Sequence, residues 1–344
     1  AIKITLLYPI RSIQYRLQPV FRHVAPKLYT IMDPTPPIQI VEVSPRDGLQ
    51  NEPIFVSSRA KLQLVRRAAA SGAKRIEAVS FVSPKAVPQM ADAEAVMKLI
   101  RDETDLREGG IRIAGLALNE RGAERALRAD VDELNLVVLA SDTFNRRNQG
   151  ASIPDTMLEL SRAAALARHE RMPVTLTIGA AFGCPFEGEV SLARVLELAL
   201  EASDFGLTEV ALADTIGVGD PVSVERRVLA LRQTLPNLTV RCHFHDTRNT
   251  GLANAFAAWR TGAIAFDASI GGIGGCPFAP AATGNVATED LAYMFDRMGV
   301  STGLDLEQLR AAGAWLESDV LGKPVPSALL RSGGFPAPSL TACV

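Results

Sequence analysis

The chain has 344 residues, 47% hydrophobic and 22% charged, enough apolar material for a large core. A net charge of −2 leaves no basic excess, which argues against a nucleic-acid partner, and no apolar run reaches the roughly 18 residues needed to cross a bilayer. The cysteines, Cys184, Cys242, Cys276 and Cys343, stand far apart, which excludes a zinc knuckle, a Cys-x-x-Cys redox pair and a disulfide scaffold.

Residues 1–36 read as an extension ahead of the fold. Lys3, Arg11, Arg16, Arg22 and Lys27 occur before Met32 with no Asp or Glu among them. That suits an amphipathic targeting segment. The preferred reading is sequence in frame ahead of a start at Met32. A cytoplasmic location is then expected, with the mitochondrial matrix as the alternative if the segment is genuine.

From residue 38 onward, short β-branched runs alternate with longer helical patterns. Strands are expected at 38–43, 75–79, 111–116, 133–139, 174–178, 209–212, 239–243 and 265–269. Helices are expected between them at 57–71, 91–101, 120–129, 156–169, around 192–199, and at 222–235 and 251–260. A last barrel helix begins near Thr288, with Glu289 and Asp290 complementing its dipole and Leu291, Met294, Phe295 and Met298 as its buried stripe. Eight strand–helix units predict an α/β fold, a closed (β/α)8 TIM barrel over 37–300. An open doubly wound sheet is the weaker choice, because no Gly-x-Gly-x-x-Gly follows the first strand. Residues 301–344 are expected to carry one or two extra helices and a Pro/Gly-rich tail from Lys323.

In such barrels the chemistry sits at the C-terminal strand ends. Arg46 and Asp47 follow the first strand, Glu77 and Ser80 end the second, and Asp214 and Thr215 follow the sixth. His243-Phe244-His245 ends the seventh, and the glycine-rich run before Cys276, then Asn285, follows the eighth. Positions i and i+2 of a strand face one side, so His243 and His245 can reach one ion. The alternative, two ordinary polar residues at a strand end, is weakened by Asp47 on the same rim. Two imidazoles, a carboxylate and an amide oxygen suit a hard or borderline divalent cation, Mg²⁺ or Mn²⁺. Arg46 beside that ion could stabilise an enolate oxygen or could simply pair with Glu77 or Asp214. Glu77 and Asp214 could move protons or hold the histidines. Gln50, Ser80 and Thr215 join Arg46 as candidate substrate contacts. Cys276 reads either as a proton donor on a mobile loop or as a plain buried cysteine.

Several ordered segments resemble the 3-hydroxy-3-methylglutaryl-CoA lyase family. They include Arg46-Asp47-Gly48-Leu49-Gln50-Asn51-Glu52, Ser80-Phe81-Val82-Ser83-Pro84-Lys85, Gly183-Cys184-Pro185-Phe186-Glu187-Gly188, Asp214-Thr215-Ile216-Gly217-Val218-Gly219 and Gly272-Ile273-Gly274-Gly275-Cys276-Pro277. The resemblance spans about residues 38–315. It implies an acyl-CoA substrate and a cation held by Asp47, His243, His245 and Asn285. It further implies enolate stabilisation by Arg46 and proton transfer assisted by Cys276, with Glu77 and Asp214 supporting. The implied reaction is a retro-Claisen cleavage to acetyl-CoA and acetoacetate, and the identity of the base stays open. A homo-oligomer, dimer or tetramer, is expected. One stretch departs from the family pattern. Arg248-Asn249-Thr250 replaces Tyr-Gly-Gln after the metal histidines, where it could pair with an extra carboxylate of the substrate or face solvent.

Overall fold

A computed structural model of the chain describes residues 37–275 and 284–336. The expected extension at 1–36 and Cys276 lie outside the described residues. The eight strands are β1 (Gln39–Glu42), β2 (Arg75–Ser80), β3 (Arg112–Ala117), β4 (Glu133–Leu139), β5 (Val174–Gly179), β6 (Glu209–Asp214), β7 (Thr239–Phe244) and β8 (Ala265–Ala268). All neighbours run parallel, and β1 pairs with both β2 and β8, so the sheet closes on itself.

The strands are buried on both faces, as a helix-wrapped parallel barrel requires. Outward positions are apolar: Ile76, Ile113, Leu134, Val210, Leu212, Cys242 and Phe266 lie beneath the helices. Inward positions near the strand starts are instead charged, with Arg75, Glu133, Glu209 and Arg241 all buried. Several connecting helices begin at side-chain caps that satisfy free N–H groups. Ser57 accepts from Ala60 N, Asn119 from Gly122 N and Asp220 from Val222 N.

Two features lack a periodic pattern. The helix Asp142–Gln149 after β4 carries Phe144 as its one buried large apolar side chain. It is held by its Ser141 cap and ends at left-handed Gly150. A short ribbon pairs Gly183–Cys184 with Gly188–Glu189. The last barrel helix, Thr288–Arg297, buries Leu291 and Phe295, whereas Met298 is exposed just past its end. Glu289 is not a solvated dipole partner. It is fully buried and accepts from Gly271 N, and burial pushes its carboxyl up to about 8. Asp290 caps the C-terminal helix Ala328–Ser332 through Ala328 N and Leu329 N. The helix Leu306–Trp315 precedes it. Among the described residues, no helix is long and apolar enough to cross a membrane.

Candidate metal and active site

Local backbone chemistry sets Asp47 in place. After β1 the chain makes one wide turn, Ser44–Gly48, with Pro45 at its start. Glu42, fully buried, anchors that turn: its carboxylate accepts from Ser44 N, from Ile270 N and from the Thr288 hydroxyl at 2.8, 3.1 and 2.7 Å. One side chain thus joins the β1 turn, the β8 loop and the last helix.

Asn285 is delivered by strand-like pairing. Val286 N donates to Phe244 O and Asp246 N to Gly284 O, so Asn285 lies against His245 as a bridge partner. His243 and His245 share one face of the chain at the end of β7, as alternation demands. Asp47, His243 and His245 each present a ligand atom within 4.8 Å of the others. His243 Nε2 is 4.0 Å from Asp47 Oδ2. The Asn285 amide nitrogen donates to Asp47 Oδ2 and to Ile273 O, while its Oδ1 is buried without a hydrogen-bond partner among the described residues. His245 Nδ1 is likewise buried and has no hydrogen-bond partner among the described residues. Buried polar atoms of native proteins are normally satisfied. Unsatisfied donors of electron pairs beside a carboxylate therefore fit a bound cation.

The electrostatics agree. Burial alone would raise the Asp47 carboxyl, but Arg46 and then the two imidazoles outweigh it and hold it at about 2. Burial and the neighbouring His243 hold His245 at about 4, so both groups have free electron pairs at neutral pH.

Arg46 is buried and forks between two carboxylates, Asp47 Oδ1 and Glu77 Oε1. Glu77 Oε2 accepts from Asn135 at 2.6 Å, and the Asn135 carbonyl accepts from the Thr177 hydroxyl at 2.8 Å. The pairing partner of Arg46 is therefore Glu77, not Asp214. Strand parity explains why. In the β6–β7 register Ala213 lies beside His243 and Asp214 beside Phe244, so Asp214 points to the helix side. Its oxygens accept from Val218 N and Gly219 N at 2.9 and 2.8 Å, shaping the loop after β6.

A cavity of about 410 Å³ opens over this mouth. Arg46, Asp47, Gln50, Thr215, His243 and His245 line it, as do the apolar Leu116, Val137, Leu139 and Phe144. Thr215 also accepts from Ala180 N. Ser80 is buried and its hydroxyl has no hydrogen-bond partner among the described residues; a register shift after Glu77 sets it opposite Leu116. Arg248 is exposed and, among the described residues, meets no carboxylate. It donates to the carbonyls of Ile216 and Gly217 at 2.9 and 2.8 Å, tying the loops after β6 and β7 together. A second opening of about 540 Å³ lies at the opposite mouth, where Arg75, Glu133 and Glu209 are paired among themselves.

The glycine-rich run after β8 packs onto the site through its backbone. Gly274 has a φ of +108°, and a Cβ there would lie 2.4 Å from the Asn285 amide nitrogen and 2.9 Å from Asp47 O. Gly274→Ala is therefore expected to cost about 1–3 kcal/mol of stability and to displace Asn285. Thermal unfolding together with metal titration checks this; unchanged metal affinity would show that the loop yields without moving the site.

Sequence reasoning had not singled out Glu42, Asn135 or Asp267. Asp267 Oδ2 lies 3.1 Å from His243 Nδ1. The available signal was a charged or amide side chain inside an otherwise apolar strand.

The fold and the site define a (β/α)8-barrel protein with an Asp/His group able to hold a divalent metal. The HMGL-like family model matches residues 37–315, and the chain belongs to that family. The chain is 44% identical to the (R)-citramalyl-CoA lyase of Chloroflexus aurantiacus over 305 residues, 86% of this chain and 95% of that protein. It is 39% identical to the hydroxymethylglutaryl-CoA lyase of Bacillus subtilis, over 86% and 96% of the two chains. Among solved structures, an HMG-CoA lyase from Acinetobacter baumannii in complex with coenzyme A and 3-methylmalate matches with a TM-score of 0.80 and 39% identity, covering 88% of this chain and 98% of that one. These likenesses make the chain a lyase of CoA thioesters.

Proposed function

We propose that the chain cleaves a 3-hydroxy-3-methyl acyl-CoA thioester by a metal-assisted retro-Claisen reaction. The observation that supports this best is the convergence of Arg46, Asp47, His243, His245 and Asn285 at the mouth of a cavity lined by both polar and apolar side chains. Asp47, His243, His245 and Asn285 would hold Mg²⁺ or Mn²⁺. A cation held there supplies Lewis-acid polarisation of the substrate's hydroxyl and a neighbouring oxygen.

The protein's own groups do the rest. A base takes the hydroxyl proton, the carbinol carbon becomes a ketone, and the bond to the thioester CH₂ breaks. Its electron pair passes to that CH₂ as an enolate, which takes one proton to become acetyl-CoA. Arg46 stabilises the enolate oxygen with a guanidinium that Glu77 and Asp47 hold in place, so little reorganisation is needed as charge develops. Whereas Ser80 is buried beside Leu116 and does not line the cavity, Gln50 and Thr215 line it and contact the acyl group. Asp214 supports them by shaping the loop after β6. Cys276, next in the chain after Gly275, assists proton transfer.

Two acyl groups meet this description. The glycine–cysteine loop and the other motifs favour 3-hydroxy-3-methylglutaryl-CoA, which gives acetoacetate. The 44% identity to a citramalyl-CoA lyase and the departure at Arg248-Asn249-Thr250 favour (R)-citramalyl-CoA, which gives pyruvate. The two differ by one methylene between the carbinol carbon and the free carboxylate, and a pocket discriminates one methylene by about 10- to 200-fold. Purified protein with Mg²⁺ or Mn²⁺ should turn over both, one of them by at least 10-fold in kcat/KM. The oxo acid released, acetoacetate or pyruvate, identifies the preferred one. Turnover of neither would replace the lyase by a noncatalytic metal- or CoA-binding barrel.

A further inference from the structure

The charges inside the barrel form a file that ends on a candidate metal ligand. At its far end Arg75 pairs with Glu133 and Glu209, lying 2.7 Å from Glu209 Oε1. Arg241 comes next, its Nε 3.3 Å from Glu209 and 3.4 Å from Asp267. Asp267 then meets His243 Nδ1. Arg241, His243 and His245 are spaced by two along the chain, and Asp267 is the register partner of His243 on β8. The file therefore climbs the inner wall from the strand starts to the mouth.

Burying so many charges is costly, and apolar residues of similar volume usually stabilise at least as well. Stability alone is a poor account of Arg241, whose side chain is fully buried. The geometry supplies another. An ionised carboxylate accepts hydrogen bonds and cannot donate. Asp267 beside Arg241 therefore places the proton of a neutral His243 on Nδ1. The electron pair is left on Nε2, the nitrogen that faces Asp47 at 4.0 Å.

We infer that Asp267, backed by Arg241, is a positioning residue that fixes His243 as its Nδ1–H tautomer and aims Nε2 at the cation. Carboxylates often orient metal-binding imidazoles in this way. This rests on the reading of His243 as a ligand. His245 is held differently, since its Nδ1 has no hydrogen-bond partner among the described residues.

The test uses the full chain, wild type and Asp267→Asn. Its readouts are the His243 tautomer in metal-free protein, from imidazole ¹⁵N NMR, and Mn²⁺ affinity by titration calorimetry. Wild-type His243 should carry its proton on Nδ1. In the Asn variant the amide oxygen turns to Arg241 and its N–H to His243, so the proton should move to Nε2. Mn²⁺ should then bind about 10- to 100-fold more weakly. A purely structural Asp267 would lower the melting temperature without moving that proton. An Nε2–H tautomer in the wild type overturns the inference, and that measurement stands even if the variant fails to fold. Unchanged Mn²⁺ affinity in Asp267→Asn, with lowered affinity in His243→Ala, overturns the inference alone. Unchanged affinity in His243→Ala removes the metal-site reading and this inference with it.

Discussion

Arg46→Met is expected to lower kcat by about 10³-fold or more, roughly 4 kcal/mol of transition-state stabilisation, while the fold and metal binding persist. The guanidinium is buried between Asp47 and Glu77 in the cavity wall. Methionine fills much of the same volume but offers no donor to a developing oxyanion. Asp47 loses the guanidinium that does most to keep it ionised, yet the two imidazoles still hold it down. Its ordinary carboxyl range remains far below neutral pH, so the metal ligand survives. Steady-state kinetics at saturating Mn²⁺, with calorimetry of Mn²⁺ binding alongside, checks the prediction. A loss of only a few-fold would contradict the enolate role and leave Arg46 as an ion-pair partner of Glu77.

His243→Ala is the complementary experiment and should act on the metal instead. Loss of a direct ligand should exceed the about 10- to 100-fold typical of losing a residue behind one; about 10³-fold in Mn²⁺ affinity is expected. The substitution also strips Asp267 of its imidazole, leaving Arg241 as the guanidinium paired with it. Some stability should therefore be lost even without metal. Titration calorimetry together with thermal unfolding in chelator separates the two effects. Activity should return partly at high Mn²⁺. Unchanged affinity would remove His243 from the ligand set.

Much of this was legible because the barrel repeats one pattern. Each strand is a short β-branched run and each helix has an apolar face, so both periods stand out along the chain. The helix Asp142–Gln149 and the ribbon at Gly183–Glu189 escape that logic. The first has too few apolar residues to form a stripe, and the second is too short to show alternation. Cap chemistry, Ser141 before the helix and Gly150 after it, was the signal that could have found the first. Strand parity, which places His243 and His245 on one face, also bears on Asp214 once the register is known. It separates His243, which faces the barrel interior, from Asp214, which faces the helices, though both end neighbouring strands.

By itself the sequence determined the alternation of strands and helices, the rim to which the polar motifs belong, and the His-x-His pair. These are local properties, written in spacings of two to four residues. The tertiary structure alone decided that Arg46 pairs with Glu77 and Asp47, that Arg248 ties two loops instead of reaching the cavity, and that Asp267 stands behind His243. The contacts His243–Asp267, Arg46–Glu77 and Arg248–Gly217 join residues 24, 31 and 31 positions apart. Closing the barrel sets which side chains meet across its mouth, and no local period encodes that meeting.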